Sequence, residues 1–294
     1  MIALKEVKNR INSVKNTRKI TSAMKMVASA KLHKMQGLIQ RMWPYQQELN
    51  RIVANLLGSE VSISSPYVLK REKVTRVAIV VFSSNSSLCG GFNTNVIKEF
   101  SRKMTEYEEL GSENILIFPI GRKIEEAVRR MGLQSQGSFD RLSDKPTYDE
   151  AMLLANKLMN LFETEKVDRV DLVYHHFKSR GTQILKDEVY LPININHLIR
   201  DVDQPEDCCS ITDYIIEPSV EELIEKLFPT LLRQKIFTTA VDSSTSEHAA
   251  RTLAMQIATD NANDLIQELT KQYNKSRQQA ITNELLDIVG GSLQ

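Results

Sequence analysis

The stretch that decides the fold is VAIVVFSSNSSLCGGFNTNVIKEF, residues 77–100. It begins with six apolar residues in a row, which is typical of a strand buried on both faces of a sheet. A polar turn containing Cys89, Gly90 and Gly91 follows, and a helical pattern begins behind it. Strand, glycine turn and helix form many phosphate sites and many nucleophile sites, so both kinds of site are considered for this loop.

The same alternation continues toward the C-terminus. Further β-rich runs occupy residues 115–120, 170–177 and 183–191, and the helical patterns occupy residues 93–109, 122–131 and 148–165. Alternating strands and helices indicate an α/β layer with a mostly parallel sheet. We therefore predict a Rossmann-like α/β domain over residues 74–195, with the last β-rich run at an edge of its sheet.

Both ends of the chain carry long helical patterns instead. Apolar residues recur every three or four positions through residues 1–58 and again through residues 207–294. Helices of this length cannot bury their apolar stripes inside one globule of 294 residues. Coiled-coil spacing at both ends therefore predicts a long antiparallel coiled coil of the N- and C-terminal helices, with the α/β domain inserted between them.

Four local signals refine the two terminal helices. Pro44 is expected to kink or break the first helix. Ser219 is a plausible N-cap for the last helix, and Gly290-Gly291 is a suitable stop. The polar stretch VDSSTSEHAA, residues 241–250, is expected to loosen the last helix.

The net charge of +1 hides an asymmetry between the two ends. The first 41 residues contain ten basic residues and one acid, whereas residues 242–294 contain seven acids and four basic residues. These opposite charges suit the pairing of the helices, although each exposed ion pair contributes only about 0–1 kcal/mol. The basic helix also suits nucleic acid or an acidic protein partner. No aromatic residue precedes Trp43, so bases would lack a stacking platform, and an acidic protein partner is favoured.

Composition and cysteine usage are those of an ordinary globular protein, with 41% hydrophobic and 26% charged residues. No run of 18 apolar residues occurs, and the first residues lead directly into a helical pattern, which predicts neither a membrane span nor a targeting peptide. Cys89, Cys208 and Cys209 have no disulfide or metal-ligand spacing and are expected to be reduced thiols.

The loop around Cys89 matches neither common nucleotide motif. It lacks the lysine and the spacing of a Walker loop and the G-x-G-x-x-G of a dinucleotide site. A nucleophilic cysteine would require a nearby histidine or a helix N-terminus, and only the latter is predicted here. A structural turn is favoured, with a reactive thiol and a phosphate site as alternatives. His175 and His176 point to opposite faces of a strand, so one buried and one exposed histidine are expected rather than a shared metal site.

Four stretches in order along the chain resemble the signatures of one family, the gamma subunits of F-type ATP synthases. They are VKNTRKITSAMKMVASAK (residues 14–31), SLCGGFN (residues 87–93), HAARTLAMQIATDNA (residues 248–262) and YNKSRQQAITNELLDIVGG (residues 273–291). The resemblance covers essentially the whole chain and agrees with two long helices that flank an α/β domain.

The resemblance implies a rotor shaft that carries no catalytic residue and no cofactor or metal. The paired helices would turn inside a ring of three alpha and three beta subunits, with the α/β domain on the membrane c-ring beside the epsilon subunit. The turning shaft would couple proton flow to ATP synthesis and hydrolysis at the beta sites. The chain would lie at the cytoplasmic side of a bacterial inner membrane as a peripheral protein.

The resemblance also implies contact residues. Met24 and Lys25 match the shaft region that faces acidic loops of beta. Arg251 and Gln256 match a hydrogen-bonded catch with beta and are expected at the exposed surface. Tyr214 and Glu217 match the region that touches the c-ring.

Three departures from the family pattern accompany these matches. Asn85-Ser86-Ser87 stands where the family usually has Asp-Arg-Gly, so a salt bridge from that loop is not expected. Ile216 stands where an aromatic residue is common, and residues 242–250 replace a stretch that usually contains Asn. The chain lacks the cysteine-bearing insertion of chloroplast members, which favours a bacterial chain.

Two functions of other classes remain as alternatives. An α/β enzyme that uses Cys89 would be active alone, and its thiol would be alkylated rapidly. A coiled-coil nucleic-acid binder that uses the basic helix would bind DNA with a steep salt dependence.

Overall fold

The computed structural model describes residues 4–57, 65–68, 71, 73–194, 216–217 and 219–291. The chain divides into two compact units. We call the one formed by residues 1–30 and 251–294 the helical unit, and the one formed by residues 31–250 the α/β unit. Tyr214, Cys208 and Cys209 lie outside the described residues.

Six α-helices and four strands make up the described part of the chain. The helices are α1 (Leu4–Leu57), α2 (Phe92–Glu106), α3 (Arg122–Arg130), α4 (Asp140–Asp144), α5 (Tyr148–Glu163) and α6 (Val220–Gly291). The strands are β1 (Val77–Phe82), β2 (Ile115–Ile120), β3 (Arg169–Phe177) and β4 (Gln183–Leu191).

The sheet has the order β2-β1-β3-β4. The central strand β1 pairs in parallel with β2 and β3, while β4 pairs antiparallel with β3 and forms an edge, as predicted. The uninterrupted apolar sequence of β1 is explained by burial on both faces. Its odd-numbered residues pack in a cluster with residues of α2 and α3, and its even-numbered residues pack in another with residues of α1, α5 and α6.

The predicted fold class is confirmed. Helix α1 runs through Pro44, so a break at this residue is wrong, and a kink there stays a prediction. The predicted loosening of α6 is wrong, because the helix runs without a break through residues 241–250. The short α4 was not predicted, since five residues are too few to display a helical period. The N-cap is confirmed, because the Glu222 backbone N–H donates to the Ser219 hydroxyl at 3.3 Å.

No described helix is both long enough and apolar enough to cross a membrane.

Candidate functional site

The helical unit is an antiparallel pair formed by the start of α1 and the second half of α6. Three side-chain contacts set its register, and each step forward along α1 is matched by a step back along α6. They are Arg18 Nη1 to Asn263 Oδ1 at 3.1 Å, Thr21 Oγ1 to Thr259 Oγ1 at 2.9 Å, and Lys25 Nζ to Gln256 Oε1 at 2.6 Å. A narrow apolar seam of Val7, Ile11 and Leu269 continues the same register.

The structure thus brings together Lys25 and Gln256, which the sequence assigned to separate contacts. Lys25 donates to the Gln256 carbonyl, and the Gln256 amide donates to both carboxylate oxygens of Asp260 at 2.9 and 2.8 Å. Lys25 and Gln256 are half-buried, as is Met24. Lys25 and Gln256 thus form one connected polar group with Asp260 on the surface of the helical unit.

Arg251 differs from its expected setting. The resemblance implied an exposed surface for both Arg251 and Gln256, but the Arg251 side chain is only 9% exposed within this chain. The expectation of an exposed arginine is therefore wrong, because tertiary packing covers it.

Several apolar side chains of the helical unit stand in solvent. Ile20, Met26 and Val27 of α1 are each at least 60% exposed, and Ile257 of α6 is 52% exposed. These four side chains are available for contact with another protein.

The end of α6 is apolar and exposed for a reason that follows from the register. Val7 and Tyr273 belong to the same seam, so residues near 276 stand opposite the first described turn of α1. Later residues of α6 have no described part of α1 to pack against. Five large apolar residues there are 48–67% exposed: Ile281, Leu285, Leu286, Ile288 and Val289.

The loop after β1, in the α/β unit, is a closed structural turn. The chain reverses through Leu88 and Gly90, whose φ angles are 67° and 61°. The Cys89 thiol is buried, and the Asn93 amide donates to its sulfur at 3.2 Å. The same Asn93 amide donates to the Ser84 hydroxyl at 2.8 Å. The polar side chains of this loop thus bind one another.

A close backbone approach lies at Gly121, at the start of α3. A Cβ on Gly121 would come within 2.3 Å of the Ser83 carbonyl oxygen, and its φ of 97° also favours glycine. Asn85, one of the departures from the family pattern, links the loop after β1 to the starts of α3 and α4. Its carbonyl accepts from the Arg122 N–H at 3.0 Å, and its amide donates to the Asp140 carbonyl at 2.8 Å. An amide thus makes the link that a salt bridge would otherwise provide.

The two adjacent histidines behave as predicted, one buried and one half-exposed. His175 is 2% exposed and stacks on Phe92, with ring centroids 4.4 Å apart. Burial lowers the pKa of His175 to about 4, because desolvation disfavours the charged ring. His176 instead shares a hydrogen bond with Asp242 of α6 at 2.7 Å. Burial raises the pKa of Asp242 despite this contact.

A buried charge cluster in the α/β unit was missed by the sequence reasoning. The Lys103 ammonium, 4% exposed, lies 3.3 Å from Asp171 Oδ2 and 2.8 Å from Asp187 Oδ2. Arg169 and the Tyr107 hydroxyl also bind Asp171. Burial opposes the charge of Lys103, but the hydrogen bond to Asp187 and the charge of Asp171 raise its pKa overall. The signal was present, since Lys103 continues the buried helical spacing of Val96 and Phe100.

The predicted c-ring residues are described only in part. Glu217 is exposed and lies just before α6, whereas Tyr214 falls outside the described residues. Among the described residues, no group of three or more His, Cys, Asp or Glu side chains is arranged to hold a metal.

Comparisons with known proteins agree over the full length. Residues 3–293 match the family model described as ATP synthase. The chain is 62% identical over 299 residues to the ATP synthase gamma chain of Bacteroides thetaiotaomicron, and 63% identical over 293 residues to that of Bacteroides fragilis. All of both chains is covered in each case. A chain of the Euglena gracilis mitochondrial ATP synthase, solved by cryo-EM, aligns with a TM-score of 0.65 at 19% identity. The alignment covers 98% of this chain and 92% of that one.

Proposed function

This chain belongs to the ATP synthase gamma chain family and is the rotor-shaft subunit of that complex, and we propose that its turning couples proton flow to ATP synthesis and hydrolysis. In this proposal the chain has no catalytic residue of its own, and the chemistry takes place on the beta subunits. The chain imposes different states on the beta sites as it turns, which is coupling between distant sites through a rigid element.

The helical unit carries the proposal. It is an antiparallel pair of helices whose narrow seam is closed by polar contacts, while large apolar side chains remain in solvent. A surrounding ring of alpha and beta subunits would cover these side chains. The exposed end of α6, from Ile281 to Val289, would be covered by the same ring.

Met24, Lys25, Arg251 and Gln256 are proposed to contact that ring. The excess of basic residues in the first 41 positions suits acidic loops of beta, because charged donors form the stronger hydrogen bonds. Gln256 is hydrogen-bonded to Lys25, so the two side chains can contact the ring together. Arg251 is proposed to contact the ring through the small part of the residue that stays exposed.

The opposite end of the chain is proposed to meet the rest of the rotor. Tyr214 and Glu217 contact the c-ring, and the epsilon subunit lies beside the α/β domain. The proposed domains are residues 1–58, 74–195 and 207–294. The complex is membrane-associated, and this chain would lie as a peripheral subunit on the cytoplasmic side of a bacterial inner membrane.

Two features support a non-catalytic role. The thiol of Cys89 is buried and accepts a hydrogen bond, which is unlike the partly exposed, electropositive surroundings of reactive cysteines. In the loop that follows β1, Ser84 and Asn93 hydrogen-bond to each other.

The test measures ATP hydrolysis by alpha and beta subunits with this chain, by alpha and beta without it, and by the chain alone. We expect the chain alone to be inert and the three-subunit mixture to sustain turnover. Hydrolysis by the chain alone, or indifference of alpha and beta to its addition, would overturn the proposal. A matched sample of Cys89→Ser separates a thiol-dependent activity from contamination.

A further inference from the structure

Strand β3 continues beyond the point where β1 ends. Its parallel pairing with β1 stops at Val81 and Val173, whereas its antiparallel pairing with β4 continues to Phe177 and Gln183. On the side that β1 leaves open, the last residues of β3 have backbone groups without a strand to bind. This position, between the carboxyl ends of β1 and β3, is the crevice in which α/β sheets of this kind bind ligands.

Helix α6 supplies the missing partners. Asp242 Oδ1 accepts from the Phe177 backbone N–H at 2.8 Å, and Asp242 Oδ2 lies 2.7 Å from Nδ1 of His176. One turn later, the Ser246 hydroxyl donates to the His175 carbonyl at 3.1 Å. We call these contacts of Asp242 and Ser246 the β3–α6 clasp. It explains why a polar sequence expected to loosen α6 is instead buried and helical.

The clasp stands at a particular point of the chain. The helix passes from the α/β unit into the helical unit at residue 251, within about three turns of Asp242. Other contacts tie earlier turns of α6 to the sheet, among them Lys235 to Glu188 at 2.8 Å and the Tyr190 hydroxyl to the Leu232 carbonyl at 2.9 Å. The carboxylate of Asp242 is 15% exposed and binds two successive residues of β3. These two contacts together fix both the distance and the orientation of α6 relative to β3.

We propose that Asp242 is a positioning residue for rotation, and that the β3–α6 clasp makes the sheet and the part of α6 before residue 251 turn as one body. The proposal rests on the proposed function as a rotor shaft. Force received by the α/β unit passes through the clasp into the helix just before the helix pairs with α1. Without the clasp, the last turns of α6 in the α/β unit can yield under load, and ATP hydrolysis proceeds with less ion movement.

The test compares ATP-driven proton pumping with ATP hydrolysis in inverted membrane vesicles that contain the complete enzyme. Asp242→Ala should lower the pumping obtained per ATP hydrolysed by about fivefold, in the range by which single residues alter coupling between sites. Asp242→Asn should stay near the wild-type ratio, because its carbonyl can accept from the Phe177 backbone N–H and its amide can take the place of the carboxylate oxygen beside His176. Glu225→Ala, which removes an exposed carboxylate from the same helix, is the matched control.

A cross-link separates a mechanical role from a merely structural one. In a chain with serine at its three native cysteine positions, Lys235→Cys and Glu188→Cys can be joined by a short bis-maleimide. The two native side chains meet at 2.8 Å, which places the new thiols within its reach. If the clasp transmits force, this link should restore most of the coupling lost in Asp242→Ala. If Asp242 only maintains the fold, the link should restore nothing.

The outcomes distinguish this inference from the function beneath it. Wild-type vesicles that neither pump protons nor hydrolyse ATP would contradict both the clasp and the proposed function. Normal wild-type pumping with an unchanged ratio in assembled Asp242→Ala would overturn only the clasp. Should Asp242→Ala fail to assemble, Ser246→Ala removes one bond of the clasp and should lower the ratio in the same direction, and an unchanged ratio there would count against the inference.

Discussion

The two units of this chain differ in how completely they bury their apolar side chains. In the α/β unit, every residue of β1 is at most 2% exposed, and even charged groups such as Asp171 are enclosed with their partners. In the helical unit, the buried seam is narrow, and residues such as Met26 and Val27 remain more than 60% exposed. The first unit is stabilised by its own contacts, whereas the second keeps surface for a partner.

The largest expected effect tests the enclosed charges of the α/β unit. Asp171→Ala would remove the carboxylate that binds Lys103, Arg169 and Tyr107 in a fully buried position. Breaking a buried ion pair from one side destabilises a protein by about 3–5 kcal/mol, because the remaining charge stays buried. Urea unfolding followed by circular dichroism should show a loss of this size.

Glu106→Ala is the matched control for that experiment. Glu106 also lies against Lys103, at 3.3 Å, but its side chain is 43% exposed. Its removal should cost about 1 kcal/mol or less, because exposed ion pairs contribute little. Equal losses from the two variants would contradict the view that burial sets the energetics of this unit.

A second test concerns the pH dependence of the α/β unit. His175 titrates near 4 when folded and near 6.5 when unfolded, so the unfolded chain binds more protons between these values. The contribution of His175 to the free energy of unfolding is therefore fully present above about pH 6.5, and it falls as the pH drops toward 4. Between about pH 7.5 and pH 5, we expect a loss of about 2 kcal/mol in the free energy of unfolding.

His175→Phe should remove that part of the pH dependence, because a phenyl ring can still stack on Phe92 without titrating. His33→Gln, at an exposed position of α1, is the control and should leave the pH dependence as in the wild type. An unaltered pH dependence in His175→Phe would show that His175 is not the group responsible.

The sequence predicted local structure well because periodicity records burial. The limits of β1, β2 and β4 agree with the apolar runs residue for residue, and β3 differs by one residue at its start. The sequence failed where a contact is distant along the chain. The polar residues 241–250 looked like a weak point because their partners are the backbone groups of β3, about 70 residues earlier, which no local pattern reveals.

The candidate contact residues also differ in whether the sequence alone could reveal their partners. The resemblance indicated Lys25 and Gln256 separately, but only the antiparallel register showed that they bind each other. Arg251 was expected at the surface from the resemblance, and the structure buries it. The lysine at position 103 was readable as buried from its spacing, although its partners on β3 and β4 were not.

A third test turns to the helical unit, where we expect function to change more than stability. Gln256→Ala removes the acceptor for Lys25 and leaves the apolar seam intact. Coupled ATP hydrolysis should fall by about tenfold, which corresponds to one charge-assisted hydrogen bond of roughly 1.5 kcal/mol. The midpoint of thermal unfolding should change little, since the side chain is half-buried.

Gln272→Ala provides the control for the third test. Gln272 is an exposed glutamine of the same helix that bonds only within its own turn, to Glu268 at 3.2 Å. Activity in this variant should match the wild type. If Gln256→Ala also matched the wild type in the assembled enzyme, the proposed contact with the ring would be refuted.

The smallest expected effect is at Cys89, a buried residue of the α/β unit. Cys89→Ser keeps a small polar group that can accept from the Asn93 amide, so the turn after β1 should survive. The cost in stability should be about 1 kcal/mol or less, and ATP synthesis should stay within about twofold of the wild type. Rates of ATP synthesis in vesicles with equal amounts of assembled enzyme provide the measurement. Loss of coupling with normal assembly would mean that this closed turn takes part in function, and the contrast between a self-sufficient α/β unit and a partner-dependent helical unit would no longer hold.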